Sequence, residues 1–236
     1  MRSAMKVAIM QPYFFPYIGY FQLIHAVDLF IVYDNVKYTK KGWINRNRIL
    51  RHGKEAFFTL PLKGDSDSLD VRDRELAAGL DRDKLLGQIT EAYRRAPHFE
   101  QAFPVVEEAI RHDDRNLFGF LYHSLATVCR YLGIRTPFSI SSGIPIDHSL
   151  RGQDRVLALC EAAGASVYVN PIGGTELYSV PAFGARNIEL KFLKSGPFEY
   201  RQLGDAFVPW LSIIDVMMFN PVQAIGECLA SNYELT

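Results

Sequence analysis

Short apolar runs alternate with helical stripes along this chain, and the two periodicities divide it into strands and helices. Residues 6–10 (KVAIM) and 29–33 (LFIVY) are continuous apolar runs with β-branched side chains, the pattern of buried central strands. Between them Pro16 and the neighbouring Gly19 make the chain turn before Ile18, Phe21, Gln22, Leu23 and Ala26 wind as a helix. Two such runs joined by one helix predict a βαβ unit with a parallel sheet. Further strands are expected at 57–62, 137–142, 166–170 and 188–193, with a helical stripe at 152–164 completing a second series of alternating strands and helices. Three-four spacing predicts three consecutive helices. The first carries Leu85 to Ala96 and stops at Pro97, the second starts with Pro104 in its first turn, and the third runs from an Asn116 cap to Leu132, with Gly133 as its exit. Residues 65–83 alternate acids and arginines and read as a polar surface loop. The expected fold is therefore α/β: a three-layer domain over residues 1–236 with a mainly parallel sheet and an inserted helical block at about 84–133.

Parallel sheets bind ligands beyond the carboxyl ends of their strands, which singles out the residues that follow each apolar run. Gln11 and Tyr13 follow the first strand, Asp34 the second, and Asn170, Gly173 and Gly174 the strand at 166–170, where paired glycines would let backbone N–H groups approach an oxyanion. Charge adds to this picture only locally. The 26 basic and 26 acidic residues cancel, so nothing in the total favours nucleic acid or a membrane surface. Between Val36 and Lys63, however, eight basic residues face one acid, Glu55. Within that stretch Lys41, Trp43, Asn45, Arg46 and Arg48 suit a phosphate or carboxylate beside a flat or sugar ring, because guanidinium offers forked donors and indole a stacking face.

Other candidates bear on what the chain is not. An apolar content of 48% excludes disorder. Cys129, Cys160 and Cys228 are far apart in apolar helical contexts and read as reduced core thiols. His98, His112 and His123 lack metal-ligand spacing, so no metal site is assigned. The residues before Lys6 lead straight into a strand rather than a signal peptide, and the longest apolar run, 207–219, is interrupted by Pro209, Ser212 and Asp215. A cytoplasmic protein without membrane contact is expected. Asp215 lies in that apolar run, in a helix expected to begin at Pro209, with Asn220-Pro221 capping the last helix. Burial raises a carboxylate's pKa, and an arginine of the basic segment is the expected partner, with a general-base role as the other reading.

Four stretches carry a resemblance: MQPYFFPYIGYF (10–21), KKGWINRN (40–47), NPIGG with Leu177-Tyr178 (170–178), and PWLSIID (209–215). Together they resemble the WbqC-like protein family over nearly the full chain. The resemblance implies a place in bacterial O-antigen and lipopolysaccharide biosynthesis, with a glycine transferase role suggested within the family. The strand, Pro-containing loop and Tyr17-Ile18-Gly19-Tyr20 are also similar to the start of HIGH-motif nucleotidylyltransferases, although tyrosines stand where those enzymes place histidines.

The function expected on these grounds is aminoacyl transfer, glycine first, to an amino sugar or nucleotide-linked sugar. Such a transferase needs an anion anchor (Arg46, Arg48, Lys41), a base (Asp34 in preference to Asp215) and oxyanion donors (the Gly173-Gly174 backbone and Asn45). The partner is then a phosphorylated or nucleotide-linked small molecule, with an aminoacyl-tRNA or an acyl carrier as donor. The residues identify no cofactor. The rival readings are a non-catalytic module binding a sugar nucleotide or acyl carrier, and a nucleotidylyltransferase-like enzyme.

Overall fold

A computed structural model describes residues 4–64, 68–204 and 206–236. The two leading apolar runs form β1 (Lys6–Met10) and β2 (Leu29–Val32), paired in parallel and joined through α1 (Ile18–His25). An antiparallel hairpin, β3 (Arg46–Arg51) with β4 (Lys54–Thr59), comes next. Then follow α2 (Arg82–Tyr93), α3 (Phe99–Arg111) and α4 (Leu117–Tyr131). The chain returns to the sheet through β5 (Phe138–Ile140), α5 (Gly152–Ala162), β6 (Val167–Pro171), α6 (Val180–Gly184) and β7 (Glu189–Ser195). It ends with α7 (Ile213–Phe219), α8 (Val222–Ser231) and β8 (Tyr233–Leu235).

The main sheet has the order β5-β2-β1-β6-β7-β8, parallel throughout except for β8 against β7. Continuous apolar strands are needed here because successive side chains feed opposite faces, and both faces are covered. Ala8, Phe30, Val32 and Val169 join the larger core under α1 and the helical block. Val7, Ile9, Ile31 and Tyr168 join the second core with Val156, Leu157 and Leu159 of α5 and Phe183 of α6. Helix, sheet, helix is the three-layer α/β arrangement.

Several local expectations are corrected. The basic stretch is itself a strand: His52 and Gly53, both at positive φ (51° and 72°), turn β3 into β4 as a two-residue hairpin loop requires. Helix α3 begins before Pro104 and takes it into its second turn, where Phe99 and Phe103 stack at 4.8 Å and extend the helix backwards. Pro209 lies outside α7, which is capped instead by Ser212, its hydroxyl accepting from Ile214 N. Asn220 turns its amide back to Val216 O and does not cap α8. Much of the 65–83 segment is pinned by isolated bridges, Lys37 to Asp70, Leu62 to Leu76 and Glu75 to Asn116, while 65–67 lie outside the described residues. Asp215, fully buried, meets no arginine among the described residues: Tyr93 (2.9 Å), Tyr200 (2.7 Å) and Gln202 (2.7 Å) all donate to its carboxylate. Those three donors lower its pKa, but desolvation outweighs them and leaves it raised to about 6. No helix of the described residues is long and apolar enough to cross a membrane.

Candidate functional site

Strand order fixes where a cleft can open. The chain runs outward from β1 through β2 to β5 on one side and from β6 through β7 to β8 on the other, so the order reverses between β1 and β6. A cleft of about 450 Å³ lies beyond the carboxyl ends at that reversal. Tyr13, Pro16 and Tyr17 reach it from the β1–α1 loop, Ile172 from the exit of β6, and Leu193, Lys194 and Ser195 from the end of β7. Asn47 and Arg48 enter from β3, Trp43 from the loop before it, and Trp210 from the segment leading to α7.

Alternation along β3 gives the Asn-Arg repeat two jobs. Asn47 points inward and its amide donates to Phe14 O (3.0 Å) and Phe15 O (2.9 Å), while Ser212 Oγ also donates to Phe15 O (2.7 Å). These bonds hold the aromatic loop with Phe15 at φ 42°. Arg46 and Arg48 point outward on the opposite face. Arg48 pairs with Glu55 (2.6 Å), donates to Trp210 O (3.1 Å) and lies 5.2 Å from the Trp43 ring. Arg46 stacks on Phe57 at 4.7 Å and donates to the carbonyls of Lys41 and Gly42, so it braces the loop beside the cleft.

Trp210 is the most unusual residue of the site. It is half exposed, sits at φ 58° and meets the edge of Tyr17 at 5.9 Å. A bulky side chain at positive φ is strained, and such strain concentrates at ligand sites. Lys41, at φ 61°, and Phe15, at φ 42°, also take positive φ in the segments that carry Trp43 and Pro16. Burial raises the pKa of the Tyr13 and Tyr17 hydroxyls, which keeps both protonated and able to donate at neutral pH. The result is an aromatic slot with two cations, Arg48 and Lys194, and several hydroxyls.

Of the residues singled out in the sequence, Tyr13, Trp43 and Arg48 line this cleft. Gln11, Asp34 and Asn170 do sit at carboxyl ends of three adjacent parallel strands, but they do not line it with Arg48. The Gln11 carbonyl accepts from Tyr20. Asn45 is engaged between Tyr38 and Leu60, and Lys41 is exposed. Asn170 is buried and bonded to Tyr168 and Pro171. Gly173 is exposed, whereas Gly174 is required by packing, since a Cβ there would stand 1.9 Å from Asn170 Nδ2. Asp34 is buried, with Ser141 Oγ (2.7 Å), Ser142 N (2.9 Å) and Ser142 Oγ (2.6 Å) filling its carboxylate and tying β2 to the end of β5. Neither Asp34 nor Asp215 faces the cleft. Tyr17, Lys194, Ser195 and Trp210 also line the cleft and are not singled out as site residues by the sequence. The strand-end rule applied to 188–193 would have pointed to Lys194 and Ser195, whereas Trp210 was hidden by reading its segment as helix.

A family model, the WbqC-like protein family, matches residues 11–227. The chain is 32% identical over 220 residues to the uncharacterized protein Rv1507c of Mycobacterium tuberculosis (strain ATCC 25618 / H37Rv), an alignment covering 91% of this chain and 93% of that protein. No solved structure matches.

Proposed function

Since the chain belongs to the WbqC-like protein family, we propose that its aromatic cleft binds a charged sugar, nucleotide-linked or phosphate-bearing, as the acceptor of group transfer in surface-polysaccharide assembly. The observation that carries this reading is the lining itself: Tyr13, Tyr17, Trp43 and Trp210 surround a slot that also holds Arg48 and Lys194. Aromatic faces stack on sugar and base rings, and the cations complement a phosphate. Glycine, or another aminoacyl group, is the group transferred. In that step the acceptor amine attacks the donor's carbonyl carbon, the new N–C bond replaces the bond to the carrier, and the amine proton leaves with the carrier. Protonated Tyr13 and Tyr17 serve as donors to the acceptor or to the developing oxyanion.

The second reading, a non-catalytic module that presents the sugar to a partner, draws on one observation: the described residues lining the cleft include no carboxylate. Two measurements separate the readings. Calorimetric titration against nucleotide-linked amino sugars should show binding that Trp43→Ala and Trp210→Ala each weaken by about tenfold or more while the fold is retained. Unchanged affinity in both variants would remove the cleft from consideration. Adding a glycyl donor and weighing the acceptor then distinguishes transfer, which adds one glycyl residue, from presentation, which adds none.

A further inference from the structure

A second cleft, of about 470 Å³, opens on the same sheet edge beyond the carboxyl end of β2. One wall is the exit of β2, another the segment carrying Asp70 and Arg72, and the third the loop that leads into α5. Backbone bonds from Val71 N to Val36 O (2.9 Å) and from Arg72 N to Asp34 O (3.1 Å) fix the first two walls together.

Four permanent cations, Lys37, Arg72, Arg151 and Arg155, line this space against one carboxylate, Asp70, in a chain whose formal charge is zero. The surplus is not absorbed internally. Arg155 is held by three main-chain carbonyls, those of Leu150, Asn35 (2.8 Å) and His148 (2.8 Å), so its position is fixed while no carboxylate neutralises it. Among the described residues, Arg72 has only a loose contact with Asp73, at 3.9 Å. Lys37 and Arg151 form no ion pair among the described residues. Tyr33, beside Arg155 and kept protonated by burial, adds a neutral donor. His148 contributes structure instead: its Nδ1 accepts from Asn35 and its Nε2 donates to Ile144 O, which occupies both ring nitrogens. Like charges gathered in one concavity repel one another, and a multivalent anion relieves that repulsion by satisfying several of them at once.

We infer that this cleft is a binding site for a phosphorylated ligand of the di- or triphosphate class, distinct from the aromatic cleft. The inference does not depend on what the aromatic cleft binds. Inorganic pyrophosphate is the probe, titrated calorimetrically into the full chain, into a Lys37→Ala/Arg151→Ala double variant and into Arg48→Ala. Lys37 and Arg151 are chosen because neither side chain holds another part of the fold, so the double variant should melt with the parent. The expected result is binding to the parent, a loss of about tenfold or more in affinity for each cation removed, and no change for Arg48→Ala. Failure of the parent to bind pyrophosphate, or undiminished affinity in the double variant, would overturn the inference. If the double variant does not fold, Lys37→Gln and Arg151→Gln taken singly give the same reading, and unchanged affinity in both overturns it. Loss of pyrophosphate binding in Arg48→Ala alone would place the anion in the aromatic cleft, which defeats this inference and leaves the proposed function standing.

Discussion

Asp215 and Trp210 are the residues whose chemistry departs furthest from the ordinary. Asp215 is surrounded by neutral donors, so its carboxylate is hydrogen-bonded but has no counter-charge, and its pKa rises from 3.8 to about 6. A folded-state pKa above the unfolded value means that the folded chain holds this proton more tightly. The contribution is complete below the unfolded pKa and disappears as pH rises through about 6. Between about pH 5 and pH 7 the parent should therefore lose about 1 kcal/mol relative to Asp215→Asn, whose amide does not titrate. Thermal melts of both proteins across that range test it, and parallel pH profiles would contradict the raised pKa. At Trp210 the left-handed backbone inverts the usual ranking of small residues. Ala keeps the φ 58° strain and Gly removes it, so Trp210→Gly should be more stable than Trp210→Ala by about 1 kcal/mol, although both lose the ring. Denaturant midpoints of the two variants decide this, and an Ala variant at least as stable as Gly would show the backbone to be relaxed.

At the scale of elements, the hairpin matters more than its charge suggested. Its inward face clamps the β1–α1 loop through Asn47, and its outward face presents Arg48 to the cleft and Arg46 to the neighbouring loop. Asn47→Ala leaves the Phe14 carbonyl without its donor, while Phe15 O keeps Ser212. The expected cost is about 1–3 kcal/mol, read from urea unfolding, together with loss of ligand binding as the aromatic loop relaxes. Full stability would mean that the loop is held by its own packing. The Asn-Arg alternation was visible in the sequence as a site signal, but its division into a structural and a ligand-facing half depends on which face of a strand each residue takes. Hydrophilic side chains mask the period of two in this stretch, so its strand is not legible from the sequence.

For the whole molecule, two clefts share one edge of a parallel sheet, one aromatic at the strand-order reversal and one cationic at the end of β2. The sequence by itself determined the parallel part of the sheet, because buried parallel strands are continuous apolar runs that stand out against helical stripes, but not the antiparallel edge strand β8 or the separation of the 54–59 strand into a hairpin. It also directed attention to the ends of those strands, and three of the residues it marked, Tyr13, Trp43 and Arg48, line the aromatic cleft. It could not determine which polar residues face a ligand. Asp34 and Asp215 have the chemistry of site residues, yet Ser141, Ser142 and Tyr93 engage them from distant points in the chain, while Asn45 and Asn170 are engaged by the nearer Tyr38 and Tyr168. Trp210 meets Tyr17 and Arg48, and Arg155 meets Asn35, across similarly long separations. Local periodicity reports what a residue's neighbours in sequence require of it. Whether a carboxylate is satisfied or a cation left uncompensated depends on contacts between distant segments, and only the tertiary structure decided those.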